Sequence, residues 1–214
     1  VRPYFIKTPK FFRWIYPKRI WAFPQESNSV YLTFDDGPIP EVTPWVLDIL
    51  KQFNAKATFF CIGDNTRKHP ALFQRILAEG HTIGNHTFHH VNGWKLDTSA
   101  YLQEVLRAEA IFKTEDKKVP NKLFFRPPYG KLRSSQAKAL QKKGYYIVMW
   151  DVLSADFDAN VSEEVCLQNV LKHIQPGSIV VFHDSIKAQK NLRYALPKVL
   201  EFLNANGLKT SVIR

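Results

Sequence analysis

VYLTFDDGP, residues 30–38, is a β-branched and aromatic run that stops on two adjacent aspartates, a glycine and a proline. Val30, Tyr31, Leu32, Thr33 and Phe34 have the composition of a buried strand, and Gly37 and Pro38 mark where it must end. Asp35 and Asp36 therefore stand at the strand's C-terminal tip. Neighbouring carboxylates repel, so a site that keeps both charged needs a cation beside them, commonly a metal.

Downstream of that tip, strand and helix patterns alternate. Thr43 can cap a helix with Pro44 in its first turn, and Trp45, Leu47, Ile49, Leu50 and Phe53 follow at helical spacing. ATFFCI at 57–62 reads as a strand, 70–79 as an amphipathic helix ended by Gly80, and 82–85 as a short strand. A helix is expected over 98–113, a strand at 123–125, a helix over 134–143 and a strand, YIVMW, at 146–150. Residues 162–173 read as a helix with Glu163 and Glu164 in its first turn, 178–182 as a strand, 192–204 as a helix and 210–213 as a last strand. Seven strands alternating with six helices, most strands apolar on both faces, predict an α/β fold with a parallel sheet covered by helices. Asp35, Asp36, His86, His90, Arg126, Asp151, Asp156, His183 and Asp184 all fall just after strand ends. Polar residues drawn from the C-terminal ends of many strands favour a βα-barrel, incomplete relative to eight units, over an open sheet with one switch point.

His86 and His90 stand four apart in HTFHH, so one helical turn would aim both imidazoles at a common point. Asp36 is the natural third ligand of a catalytic metal site with a position left for water, and Thr87 or a backbone carbonyl can fix a ring tautomer. His89 falls on the other face and takes a structural or surface role.

Four motifs now appear in order: Thr33-Phe34-Asp35-Asp36-Gly37-Pro38, His86-Thr87-x-x-His90, Arg126-Pro127-Pro128-Tyr129-Gly130 and Val181-Phe182-His183. Together they resemble the NodB-homology polysaccharide deacetylases, carbohydrate esterase family 4, from residue 30 to the C-terminus. The resemblance implies a distorted (β/α) barrel of about seven parallel strands. It implies a divalent metal, zinc first with cobalt, nickel and manganese also compatible, held by Asp36, His86 and His90. It makes Asp35 the general base, His183 the general acid, Arg126 the partner that orients Asp35, and Asp156 the carboxylate that tunes His183. Amide hydrolysis needs a polarised carbonyl, a deprotonated water and a protonated leaving amine, and this set supplies each. A backbone N–H near Tyr129 would support the oxyanion, and Tyr129, Trp150 and Phe157 would stack on a sugar or line an acetyl slot. The fourth family motif, usually Asp-Ser-x-Asp-Trp, departs here: Leu153 replaces the first Asp and Phe157 the Trp, and Val181 stands where Leu is common. The metal and proton-transfer positions are intact, so an active enzyme is expected.

The 214 residues suit one domain, with 45% hydrophobic and 14% aromatic content. The division expected is a strap over 1–29 packed on a catalytic domain over 30–214. Thirty Lys and Arg against 19 Asp and Glu give +11, which favours anionic surfaces. Residues 1–25 carry Arg2, Lys7, Lys10, Arg13, Lys18 and Arg19 with no acid, among eight aromatic residues. Beyond packing on the domain, that segment fits contact with an anionic membrane or a cell wall. Cys61 and Cys166 read as reduced core thiols. No apolar run is long enough to span a bilayer and no signal-peptide core is visible, but the chain begins with Val, so a removed leader stays open. The expected partner is an acetylated glycan in the cell envelope or outside the cell, with a cytoplasmic place also compatible. A monomer is expected, and no nucleic-acid motif accompanies the charge. N-acetylglucosamine glycans, either peptidoglycan or chitin-type oligomers, are the first substrate reading. O-acetylxylan or a small amide or imide at the same site is the second, and a glycan- or membrane-binding protein with a vestigial site the third.

Overall fold

The structure is a computed structural model that describes residues 4–25, 28–115 and 123–214. Residues 1–3, 26 and 27 of the expected strap lie outside the described residues. Among the described residues eight strands form one parallel sheet: β1 (Ser29–Asp35), β2 (Thr58–Cys61), β3 (Thr82–Asn85), β4 (Leu123–Phe125), β5 (Tyr145–Ile147), β6 (Val152–Leu153), β7 (Ile179–His183) and β8 (Lys209–Thr210). Their order is β5-β4-β3-β2-β1-β7-β6, with β8 pairing β1. The two ends of that path are joined by only the four residues 148–151. The Val148 N–H donates to the Phe125 carbonyl and the Asp151 N–H to the Ile179 carbonyl, so one bent segment leaves β4 and reaches β7. The sheet thereby curls into a distorted, incomplete barrel.

Alternation along β1 sets the two faces. Val30, Leu32 and Phe34 join the main core with helices α2 (Thr43–Gln52) and α8 (Gln189–Ala205), where the Phe34 ring lies 5.1 Å from Phe59 and 6.0 Å from Phe182. Tyr31, Thr33 and Asp35 have the opposite parity and face the barrel interior, shared with Phe60, Phe124, Ile179 and Ile213. Helices α4 (Pro70–Ala78), α5 (Thr98–Glu115), α6 (Ser134–Lys142) and α7 (Glu163–Leu171) follow the expected pattern, with Ser162 capping α7 through the Val165 N–H. Cys61 and Cys166 are free and buried.

Three elements differ from the sequence expectation. Helix α1 (Phe11–Ile15) buries none of its residues and so lacks an amphipathic signature. Helix α3 (Gly63–Lys68) is six residues of mostly polar sequence, and β6 is two residues long. Thr43 does not cap α2: its hydroxyl donates to Asp184 Oδ2 at 2.5 Å and accepts the Ile39 N–H.

No crossover helix separates β5 from β6, and the described part of the strap covers that flank. Ile20 bridges to Val148, Lys7 to Val152 and Ala22 to Ser178. Lys7 and Arg13 reach the buried Asp151 at 2.5 and 2.6 Å, and the Ser178 hydroxyl donates to the same carboxylate. Among the described residues no helix is long and apolar enough to cross a membrane.

Candidate active site

Register places the first pair of functional side chains. Asp35 and His183 are partners across β1 and β7, both at their strands' C-terminal ends. Asn85 on β3 pairs with Phe125 on β4, which sets His86 and Arg126 side by side one residue further on. The site is thus assembled from the C-terminal ends of β1, β3, β4 and β7, as in barrels whose catalytic groups lie on that rim.

Arg126 is fully buried and organises the centre. Its Nη1 donates to Asp35 Oδ1 at 2.6 Å and to the Thr33 hydroxyl at 2.7 Å; Nη2 donates to the Met149 carbonyl at 3.0 Å. The guanidinium carbon lies 4.0 Å from the Phe60 ring centroid. Asp35 is nearly buried and therefore depends on this pairing.

Asp36 adopts φ 86°, a left-handed conformation that costs a non-glycine residue energy and persists only where its surroundings over-determine it. Three hydrogen bonds do so: Asn65 Nδ2 to the Asp36 carbonyl at 2.7 Å, the Ile62 N–H to the Gly37 carbonyl, and the Gly37 N–H to Asp184 Oδ1. A Cβ at Gly37 would lie 1.9 Å from Asp184 Oδ2, which explains the glycine. Burial, with the nearby Asp36 charge, raises the Asp184 carboxyl to about 8, against the hydrogen bonds from Thr43 and Gly37.

The His86-to-His90 segment converges without the helical turn expected from its spacing. Thr87 (φ 65°) and His90 (φ 55°) are left-handed. The first N–H groups of α3, at Gly63 and Asp64, take the Thr87 and Phe88 carbonyls, and Asn85 Oδ1 accepts the Thr87 N–H. Helix-terminal donors thus outcompete local i→i−4 bonding. His86 Nδ1 lies 2.8 Å from the Arg126 carbonyl, which makes it the donor and leaves Nε2 a lone pair. Thr87 fixes neither ring; its hydroxyl accepts the Val91 N–H. His90 Nδ1 contacts the Tyr129 hydroxyl at 3.1 Å, and His89 turns away to Glu104. Burial lowers the pKa of both His86 and His90, as metal-ligand imidazoles require.

Asp36, His86 and His90 offer one ligand atom each, all within 4.8 Å of one another. Asp36 Oδ1 is buried without a hydrogen-bond partner, 3.3 Å from His90 Nε2 and 3.9 Å from His86 Nε2. Two ligands about 2.0–2.1 Å from a tetrahedral zinc stand roughly 3.4 Å apart; the Asp36–His90 separation matches that, the Asp36–His86 separation is longer, and the three atoms lie close enough to share one cation.

On the opposite wall, Asp156 accepts from the His183 N–H and from Nδ1, both at 2.8 Å. Burial pulls the His183 imidazole down, but the Asp156 charge and hydrogen bond, with Asp36 and Asp35, raise it to about 9. The Phe157 ring packs edge-on to His183 at 5.0 Å and meets the strap's Tyr4 at 5.5 Å. Trp150 is half-buried, with a Cβ at Gly130 only 2.8 Å from its ring, and Tyr129 is 61% exposed with φ 59°. Leu153 is buried, and its N–H donates to the Ile6 carbonyl.

Residues 23–148 match the family model described as Polysaccharide deacetylase. The chain belongs to the polysaccharide deacetylase family. A Bacillus cereus peptidoglycan-N-acetylglucosamine deacetylase is 40% identical over 201 residues, spanning 92% of this chain and 72% of its own. A Bradyrhizobium chitooligosaccharide deacetylase is 39% identical over 159 residues, 74% of this chain and 71% of its own. A solved peptidoglycan N-acetylglucosamine deacetylase superposes with a TM-score of 0.88 at 36% identity, covering 96% of this chain and 95% of that one. This polysaccharide deacetylase is therefore a family 4 carbohydrate esterase, an enzyme of the hydrolase class. Three of its contacts leave no signal in the sequence: the Thr33 hydroxyl on Arg126, the Tyr129 hydroxyl on His90, and Asp184 behind the Asp36-Gly37 turn.

Proposed function

We propose that the enzyme removes N-acetyl groups from N-acetylglucosamine residues of peptidoglycan or chitin-type oligomers, as a monomer acting in the cell envelope. The observation that carries this reading is the partnerless, buried Asp36 Oδ1 facing two imidazole nitrogens, beside the Asp35 and His183 pair. Asp36, His86 and His90 would hold a divalent cation, zinc first, which when bound polarises the acetyl carbonyl and acidifies a water. The names of the similar proteins support the sugar class.

Asp35 is the proposed general base. Arg126 occupies its Oδ1, which fixes the carboxylate and directs Oδ2 to the proton of the attacking water. His183 is the proposed general acid: Asp156 holds Nδ1, so Nε2 donates to the departing amine. A backbone N–H near Tyr129 supports the oxyanion, and Tyr129, Trp150 and Phe157 line the sugar's approach.

His183 is protonated below its raised value, so acid function persists through neutral pH and is lost on the alkaline side. The alkaline limb of acetate release is expected at or below about 9, since a cation at Asp36 offsets part of the carboxylate field. Asp156→Asn should move it down by roughly 1–3 units. A pH–rate profile with an unmoved limb would remove His183 from the acid role.

Acetate release from chitin oligomers, peptidoglycan and acetylxylan tests the substrate. Release from the N-acetylated glycans alone is expected. Release from acetylxylan alone would make the protein an O-deacetylase, and silence on all three with zinc bound would sink the glycan reading.

A further inference from the structure

The strap has two faces of different character. Phe12, Tyr16 and Trp21 pack into the cluster of Tyr101, Leu140, Ile147 and Met149, where a crossover helix is missing. The other face points outward: Trp14 is 84% exposed, Phe5 58% and Phe11 51%. Phe11 stacks on Phe12 at 4.3 Å and Phe5 lies 6.0 Å from Phe12, so these three rings are contiguous, and Trp14 follows Phe11 three residues on along α1. Exposed aromatic clusters on soluble surfaces mark interaction sites.

Two elements that meet beside the strap carry exposed cations. Gln141 Nε2 donates to the Lys18 carbonyl at 3.0 Å, which joins the strap to the C-terminal end of α6. Lys142 and Lys143 are exposed there, as are Lys10 and Lys18 on the strap. No Asp or Glu occurs in residues 1–25 or 123–150. The ion pairs of Lys7 and Arg13 with Asp151 fasten the strap to the barrel. Near the strap's N-terminal end Tyr4 reaches Phe157 beside His183, so the strap adjoins the catalytic mouth.

We infer that this face lies on an anionic phospholipid surface, with Trp14 and Phe11 in the interface and Lys10, Lys18, Lys142 and Lys143 over the headgroups. An apolar stripe flanked by lysines suits that boundary, where rings leave water and cations stay in it. A second copy meeting the same face about a two-fold axis would oppose like charges. An anionic wall polymer matches the lysines but offers no apolar phase to the rings. The inference does not depend on the substrate.

The test is co-sedimentation of the full chain with phosphatidylcholine vesicles, with and without phosphatidylglycerol. Binding only to the anionic vesicles is expected. Trp14→Ser alone, and Lys18→Glu with Lys142→Glu, should each weaken partitioning by about tenfold or more. Unchanged circular dichroism and unfolding midpoints establish that these surface variants fold. No binding to anionic vesicles, equal binding to neutral ones, or binding indifferent to Trp14→Ser would overturn the inference. So would a Trp14-dependent dimer by light scattering, or Trp14-dependent capture by peptidoglycan sacculi without vesicle binding.

Discussion

Asp35→Asn is expected to cut acetate release by about 10²–10⁴-fold while the protein still takes up zinc. Asparagine keeps the shape and can still accept from Arg126, but it cannot take a proton from water. The three atoms that fit a cation belong to Asp36, His86 and His90, and none of them changes. The variant also removes the negative partner of a buried guanidinium, so its unfolding midpoint must be measured and the assay run well below it. Zinc uptake by equilibrium dialysis separates the outcomes. Retained zinc with lost activity supports Asp35 as the base, whereas retained activity would assign the proton transfer elsewhere.

The largest stability effect is expected from Arg126→Met. Arg126 is 0% exposed and donates to Asp35, Thr33, Val148 and Met149. Methionine fills much of the same volume but leaves Asp35 buried without its counter-charge, a loss of about 3–5 kcal/mol. For a chain of this size that corresponds to a midpoint lowered by roughly 10 °C. The double variant Arg126→Met with Asp35→Asn should recover part of the loss, because the orphaned charge is gone. Urea unfolding of the four proteins in the cycle checks this. Additive losses, with no recovery in the double variant, would mean that the pair is not coupled as its 2.6 Å contact requires.

How much of this was legible in the sequence depended on what each residue does. All strands but the two-residue β6 were legible because burial on both faces writes continuous apolar runs, and a strand that stops on Asp-Asp-Gly-Pro names its own functional end. The co-location of Asp35, His86, Arg126 and His183 followed from their places after strand ends, and register now supplies the reason for it. The His86–His90 turn is not legible locally, because i and i+4 spacing suggests a helix. The deciding force was non-local: donors at the start of α3 capture its carbonyls. The sequence marks Asp184 only as a residue after a strand. Its contact with the Gly37 N–H crosses between β1 and β7 and leaves no periodic trace. The strap's aromatic excess was plain, but which rings pack inward and which face out follows from the absent helix between β5 and β6. Phe157 reads as a departure from the family motif, and only its position between Tyr4 and His183 gives it a place in the wall.

The central claim is that Asp36, His86 and His90 hold the cation that Asp35 and His183 work beside. Its most direct test is to strip the protein with a chelator, add zinc stepwise, and follow acetate release from a chitin oligomer. Activity that rises in proportion to zinc and levels off at about one equivalent, and that is absent at every step in His86→Ala, is the predicted result. Activity in the stripped protein, or an equal response to zinc in His86→Ala, would contradict the account.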